Sequence, residues 1–181
     1  MASIYGYELK NIRTWQGRDW EGCQGHICYN GKKVGWYHNN GDGSCTDIDF
    51  YLSGKDRAKN EQHFNETIKQ YYADNPLQPP YEKIIPDGEI FIGEMLELMD
   101  SEKCYKKFAK DGYPFMVQYS EKYGTISYAA CNTIAMANEL YNKYSADPKV
   151  TNVKMFKGLD DFNIQQEQAP MENTPTDLKL S

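Results

Sequence analysis

Residues 23–52 read CQGHICYNGKKVGWYHNNGDGSCTDIDFYL, and the turns inside this stretch decide the fold. Asn30-Gly31 is the dipeptide that supplies two positive-φ positions for a tight hairpin. It separates a strand candidate at 23–29 from a returning one at 34–38. Asn39-Asn40-Gly41-Asp42-Gly43 forms the next turn, since Gly tolerates positive φ and Asn and Asp bond their own backbone. Residues 46–52 then alternate, with Ile48, Phe50 and Leu52 on one face and Asp47, Asp49 and Tyr51 on the other, the period of a half-buried strand. Upstream, residues 4–15 carry aromatic and branched side chains in loose alternation up to Gln16-Gly17. These segments predict an antiparallel β-meander.

Beyond it the period changes. Over 56–74, Phe64, Ile68, Tyr71 and Tyr72 recur at helical spacing with no glycine or proline between. Asn75-Pro76 stops that helix, and four prolines (Pro76, Pro79, Pro80, Pro86) make 76–86 a stiff, extended connection. Asp87 is placed to cap a second helix through Lys110, with Phe91, Met95, Leu98, Met99, Tyr105 and Phe108 as its buried stripe. Asp111-Gly112 ends it. Residues 115–119, a turn at 122–124 and residues 125–130 read as a hairpin. A third helix follows, capped by Asn132 or Thr133, with Ile134, Ala137, Leu140, Tyr141 and Tyr144 inward. Asp147-Pro148 breaks it before a last strand at 150–156. The expected class is α+β. Its parts are a meander plus helix over 1–75, the connection 76–86, an α+β half over 87–159 packed on the first as one unit, and an acidic, largely disordered tail over 160–181, polar and without periodicity after Gln165.

The 181 residues suit a single domain. The formal charge is -6, and most of it sits late: Asp160, Asp161, Glu167, Glu172 and Asp177 face only Lys179. A nearly neutral body with an acidic end lacks the basic excess that grips a nucleic-acid backbone unaided; opposite fields would instead steer it to a basic partner. No apolar run approaches the roughly 18 residues of a membrane span, and MASIYGYELKNIRTW lacks a secretory pattern. Five scattered cysteines (Cys23, Cys28, Cys45, Cys104, Cys131) read as reduced thiols of a cytoplasmic protein.

Searching for chemistry yields no catalytic residue. Cys23, His26, Cys28, His38 and Cys45 are zinc-ligand types, but Cys23 and Cys28 fall on opposite faces of one strand and neither C-x-x-C nor H-x-x-x-H occurs. The loop from Asn40 fails as a calcium site, because its twelfth position is Tyr51 rather than glutamate. No nucleophile elbow, phosphate-cradling loop or dinucleotide fingerprint is present. The expectation is a non-enzyme with no cofactor and no metal. One constellation remains: Arg13, Trp15, Arg18 and Trp36, with Trp20, Lys32, Lys33 and Tyr37, combines aromatic faces and bases as single-stranded nucleic-acid sites do. The ordinary alternative is core tryptophans in a small sheet with a solvated basic face.

The segment LKNIRTWQGR at 9–18, followed by Gly22, by NGKKVG at 30–35 and by the glycine-rich run into Asp47, Asp49 and Phe50, resembles a family of small phage and mobile-element proteins of Firmicutes. Some relatives in that family look like anti-CRISPR proteins, inhibitors of the type II single-effector nuclease. The resemblance covers residues 8–52, and its motifs mark turns and a sheet. Trp20 and Glu21 depart from it, standing where small residues are usual. It implies a phage protein in the host bacterial cytoplasm, bound to the type II CRISPR effector nuclease with its guide RNA. The family motif itself defines no partner site; the candidate contacts, chosen because they fall on turns or an exposed strand face, are Trp20, Glu21, Asp42, Asp47, Asp49 and Tyr51. The rival expectation is a nucleic-acid-binding or accessory phage protein using Arg13, Trp15, Arg18 and Trp36. An unpaired edge of the N-terminal sheet offers a route to a homodimer.

Overall fold

Asn30 and Gly31 both adopt positive φ, 46° and 77°, and the hairpin they close sets the register of the N-terminal sheet. The computed structural model describes residues 1–51, 55–78, 81–121 and 125–166. Its first strands are β1 (Ser3–Ile4), β2 (Tyr7–Gln16), β3 (Glu21–Tyr29), β4 (Lys32–Asn39) and β5 (Asp47–Phe50). They are followed by α1 (Lys55–Asp74), α2 (Gly88–Lys110), β6 (Phe115–Glu121), β7 (Ile126–Cys131), α3 (Ile134–Ser145), β8 (Val150–Phe156), one 3-10 turn (Leu159–Phe162) and β9 (Asn163–Ile164). The class is α+β, with an antiparallel meander at the N-terminus.

Two sheets result, ordered β5-β4-β3-β2-β1-β9 and β7-β6-β8. The inner face of the first carries Tyr7, Leu9, Ile27, Tyr37 and Phe50, all buried. Those side chains pack on α1 and α2 through an aromatic cluster: Tyr7 meets Phe64 at 5.1 Å, Phe50 meets Phe64 at 5.4 Å, and Phe91 meets Tyr71 at 5.7 Å. Burying such side chains contributes roughly 1.5–3 kcal/mol each. The opposite side of α2 faces the second sheet, where the Ser101 hydroxyl donates to Gln118 Oε1 at 2.7 Å. Met116 and Phe156 of that sheet belong to the same apolar core as Leu9 and Phe91. The far face of the second sheet packs on α3 through Val117, Cys131 and Ala137. The layers are therefore sheet, helix pair, sheet, helix.

Four expectations need correction. The strand expected over 4–15 is two strands, because Tyr5 (φ 50°) and Gly6 (φ 82°) form a tight reversal between β1 and β2. Tyr5 tolerates the left-handed region there while its hydroxyl donates to Asp74 at 2.7 Å. Ile134, expected inward, is 40% exposed: it is the first residue of α3, and of that helix only Ala137 is fully buried. The fold also does not stop at 159. Phe162 is completely buried, stacked on Phe156 at 4.4 Å, and β9 pairs in parallel with β1. The acidic residues around it do not oppose this, because Asp161 faces outward and accepts from the Lys157 and Gly158 amides. Finally, β3 begins at Glu21 rather than 23. Leu52, the turn at 122–124 and the tail over 167–181 lie outside the described residues.

Candidate functional site

Antiparallel pairing places directly opposed residues on one face of a sheet. On the solvent side of the N-terminal sheet this produces two rungs. Lys10, His26, Trp36 and Asp49 lie side by side across β2 to β5, and Arg13, Gln24, His38 and Asp47 form the next. Trp15 stacks on His38 at 5.2 Å with the planes 29° apart, over Gly22, where a Cβ would run into the indole. His38 sits between Gln24 Oε1 at 3.2 Å and Asn40 Oδ1 at 2.7 Å. Tyr51 joins the face at β5 with its hydroxyl 2.7 Å from His26 Nδ1. Asp49 pairs with Arg57 of α1 at 2.5 Å.

Between the rungs β2 is irregular. Asn11 has φ 54°, and the β2–β3 register shifts between Lys10 and Arg13. Such bulges re-aim side chains and interrupt pairing. Here the interruption opens a cavity of ≈ 580 Å³ bordered by Asn11, Arg13, Gln24, His26, Trp36 and Tyr51. Arg13 is exposed and has no carboxylate in ion-pair range among the described residues.

The β2–β3 turn forms a rigid tip beside this face. The Gly17 amide donates to Trp20 O, and the Asp19 and Trp20 amides both donate to Gly41 O, each at 2.9 Å. No Cβ fits at Gly17 or Gly41, because the neighbouring turn's backbone fills that space. These backbone bonds, with Arg18 Nη2 donating to the Asp42 carbonyl at 3.1 Å, lock two turns together, and Trp20 projects from them 66% exposed. Three acids surround it. Asp19 pairs with Arg18 at 2.9 Å, Glu21 is exposed at the start of β3, and Asp42 follows Gly41. Hydrogen bonds from the Ser44 hydroxyl and amide hold the Asp42 carboxyl below its usual range, so it stays charged at neutral pH.

No protein-family model, curated protein or solved structure matches this chain. The site must be read from its own geometry.

That geometry regroups the candidate residues. Arg13, Trp15 and Trp36 share the sheet face with Asp47, Asp49 and Tyr51, while Arg18 sits at the tip with Trp20, Glu21 and Asp42. The arginine-tryptophan group expected from sequence is thus split, because Arg18 lies past the end of β2, in the turn. Asn11, Gln24, His26 and His38 were not singled out for this face. Counting back from the Asn30-Gly31 hairpin would set His26 opposite Gly35, and a register shift between Ile27 and Cys28 moves it opposite Trp36; nothing in the sequence signals that shift or the bulge at Asn11. Burial pushes the Cys23 and Cys28 thiols up, away from the thiolate form a nucleophile needs. Among the described residues no three His, Cys, Asp or Glu side chains converge as metal ligands, and no helix is long and apolar enough to cross a membrane.

Proposed function

We propose that this chain is a binding protein of the anti-CRISPR kind. It docks through the Trp20 tip and the adjoining outer face of the N-terminal sheet onto the type II effector nuclease and its guide RNA, blocking DNA targeting or cleavage. The observation that carries the binding reading is Trp20 itself. A large aromatic two-thirds exposed on a tip held by 2.9 Å backbone bonds is pre-organised, so little conformational freedom is lost when it enters a partner's pocket. The acidic residues around it, Asp19, Glu21 and Asp42, favour a basic surface, and a channel built to hold a guide–target heteroduplex is such a surface. The nuclease as partner comes from the sequence resemblance over residues 8–52.

A second reading, direct nucleic-acid binding, rests on Arg13 beside Trp36 and the 580 Å³ cavity. The charges around it disfavour this: Arg18 is neutralised by Asp19, and Asp47 and Asp49 line the same face. The deciding experiment is guided DNA cleavage by a panel of type II effectors, run with co-elution of the chain and each effector. Inhibition with co-elution, lost in Trp20→Ala, is the expected result. Unchanged cleavage at large molar excess across the panel overturns the nuclease reading, and steeply salt-dependent retention on DNA would install the second one.

A further inference from the structure

On the other side of the helix layer, away from the Trp20 tip, lies a larger groove of ≈ 1190 Å³. It runs between the C-terminal end of α1, the connection after it, α2 and β8. One wall is apolar, with Leu77, Ile84, Ile90 and Val150 among the described lining residues. The floor is not. Lys154 Nζ donates to Glu94 Oε1 at 2.9 Å and to Glu97 Oε1 at 3.4 Å. Glu97 Oε1 also accepts from Gln118 Nε2 at 2.6 Å and Asn152 Nδ2 at 3.1 Å, and Tyr71 donates to Glu94 at 3.3 Å. Asn152 holds a left-handed backbone (φ 55°) where the β6–β8 register shifts; such local strain persists where surrounding structure enforces it and gathers at ligand sites.

Two features of this floor are unexplained by the fold alone. The first is charge. Lys154 is the one cation among the described lining residues, against Asp74, Glu94 and Glu97. Burial alone would push the Lys154 ammonium down, but the two adjoining carboxylates reverse this and hold it above its ordinary value, so it is already committed and does not free the groove for an anion. The second is Tyr72. Its side chain lines the groove, the residue is only 9% exposed, and its buried hydroxyl has no hydrogen-bond partner. Buried polar atoms in finished cores are paired. A ligand atom would complete this one.

We propose that the groove binds an aliphatic ammonium, a primary amine on an apolar stem. The ammonium offers three N–H donors and no acceptor, which suits a site left with surplus carboxylate and an unpartnered hydroxyl. The stem lies along Leu77, Ile90 and Val150. Glu97 is the specificity-determining residue, held in position by Gln118 and Asn152. The ligand is either a free amine or a lysine side chain of a peptide. This goes beyond the reading of the Trp20 tip and shares no residue with it.

The test is calorimetric titration of the full chain with n-hexylammonium, with hexanol, hexanoate and tetramethylammonium as controls. Hexylammonium is expected to bind saturably and the three controls not to. Glu97→Gln is expected to weaken binding about tenfold, the loss of one charge-assisted hydrogen bond. Tyr72→Phe should weaken it as well without lowering the Tm, since it removes only an unpartnered hydroxyl. If acetyl-Leu-Lys-Leu-amide binds more tightly than hexylammonium the ligand is a peptide lysine, and the reverse order makes it a free amine; both uphold the ammonium site. Equal binding of hexanol and hexylammonium, no saturation by hexylammonium, or full affinity in both variants overturns it. Loss of nuclease inhibition by Trp20→Ala would be unaffected by any of these outcomes.

Discussion

Trp20 is held by Gly41: the Gly41 carbonyl accepts from both the Asp19 and the Trp20 amides, each at 2.9 Å. The Trp20 backbone is thus fixed by a different loop, while its indole stands two-thirds exposed with one ring edge beside Gly43. Trp20→Ala is accordingly expected to change folding stability by less than about 0.5 kcal/mol while costing about 2 kcal/mol or more of partner affinity. Thermal unfolding and the cleavage assay read the two effects separately.

Gly41 itself should behave in the opposite way. It has φ 67°, and a Cβ there would meet Gly22 N at 2.6 Å and the Trp20 carbonyl closer still. Gly41→Ala should cost about 1–3 kcal/mol of stability and loosen the tip. Gly31→Ala is the control, because Gly31 also has positive φ (77°) but nothing within 4 Å of the new carbon. It should lose only the conformational part, about 1–2 kcal/mol. Urea midpoints of the two variants, with inhibition measured alongside, separate the two causes.

Phe91 joins α1, α2 and the first sheet, with ring contacts to Tyr7, Phe64, Tyr71 and Tyr72. Phe91→Ala should remove about 3–5 kcal/mol, enough to unfold a marginal domain. Phe162→Ala should cost a comparable amount, since that ring is fully buried against Phe156 and Tyr105. A near-wild-type Tm for Phe162→Ala would mean that the segment after β8 is dispensable.

Glu102 sets an acid limit. Its side chain is 7% exposed and accepts from the Ala2 amide at 2.8 Å and from Lys106 at 2.7 Å. Burial alone would push its carboxyl up, but those donors outweigh burial and hold it below the usual glutamate range. A depressed native value means the unfolded chain takes up the proton first, so the stabilisation is complete above the ordinary glutamate value and fades as pH falls through the native one. Glu102→Gln should flatten that part of the stability-against-pH curve. A wild-type acid slope in the variant would assign the effect to other carboxylates.

The elements were legible where the chain writes its own punctuation. Asn30-Gly31, Asn75-Pro76, Asp87 and Asp111-Gly112 mark a hairpin and three helix ends, and the structure uses each of them. Local chemistry also exposed the alternation that turns Asp47, Asp49 and Tyr51 outward. What stayed hidden depends on distant residues. Tyr5 is not a turn residue by type, and its reversal is secured by Asp74, 69 positions away. The bulge at Asn11 exists because β2 must keep pairing with β3 on both sides of it. Lys154, one polar residue of an ordinary strand, gains its meaning only when α2 brings Glu94 and Glu97 beside it.

The parallel pairing of β1 with β9 has a consequence for how the molecule is made. Ser3 and Ile4 pair with Asn163 and Ile164, which are synthesised 160 positions later. Through most of synthesis the edge of β1 stays open, and the meander waits with one unpaired margin. Contacts this far apart in sequence are the slowest to form. The junction therefore works as a clasp, and a pair of dyes placed on Met1 and Gln165 would report the final step of assembly, in a nascent chain as well as in the free protein.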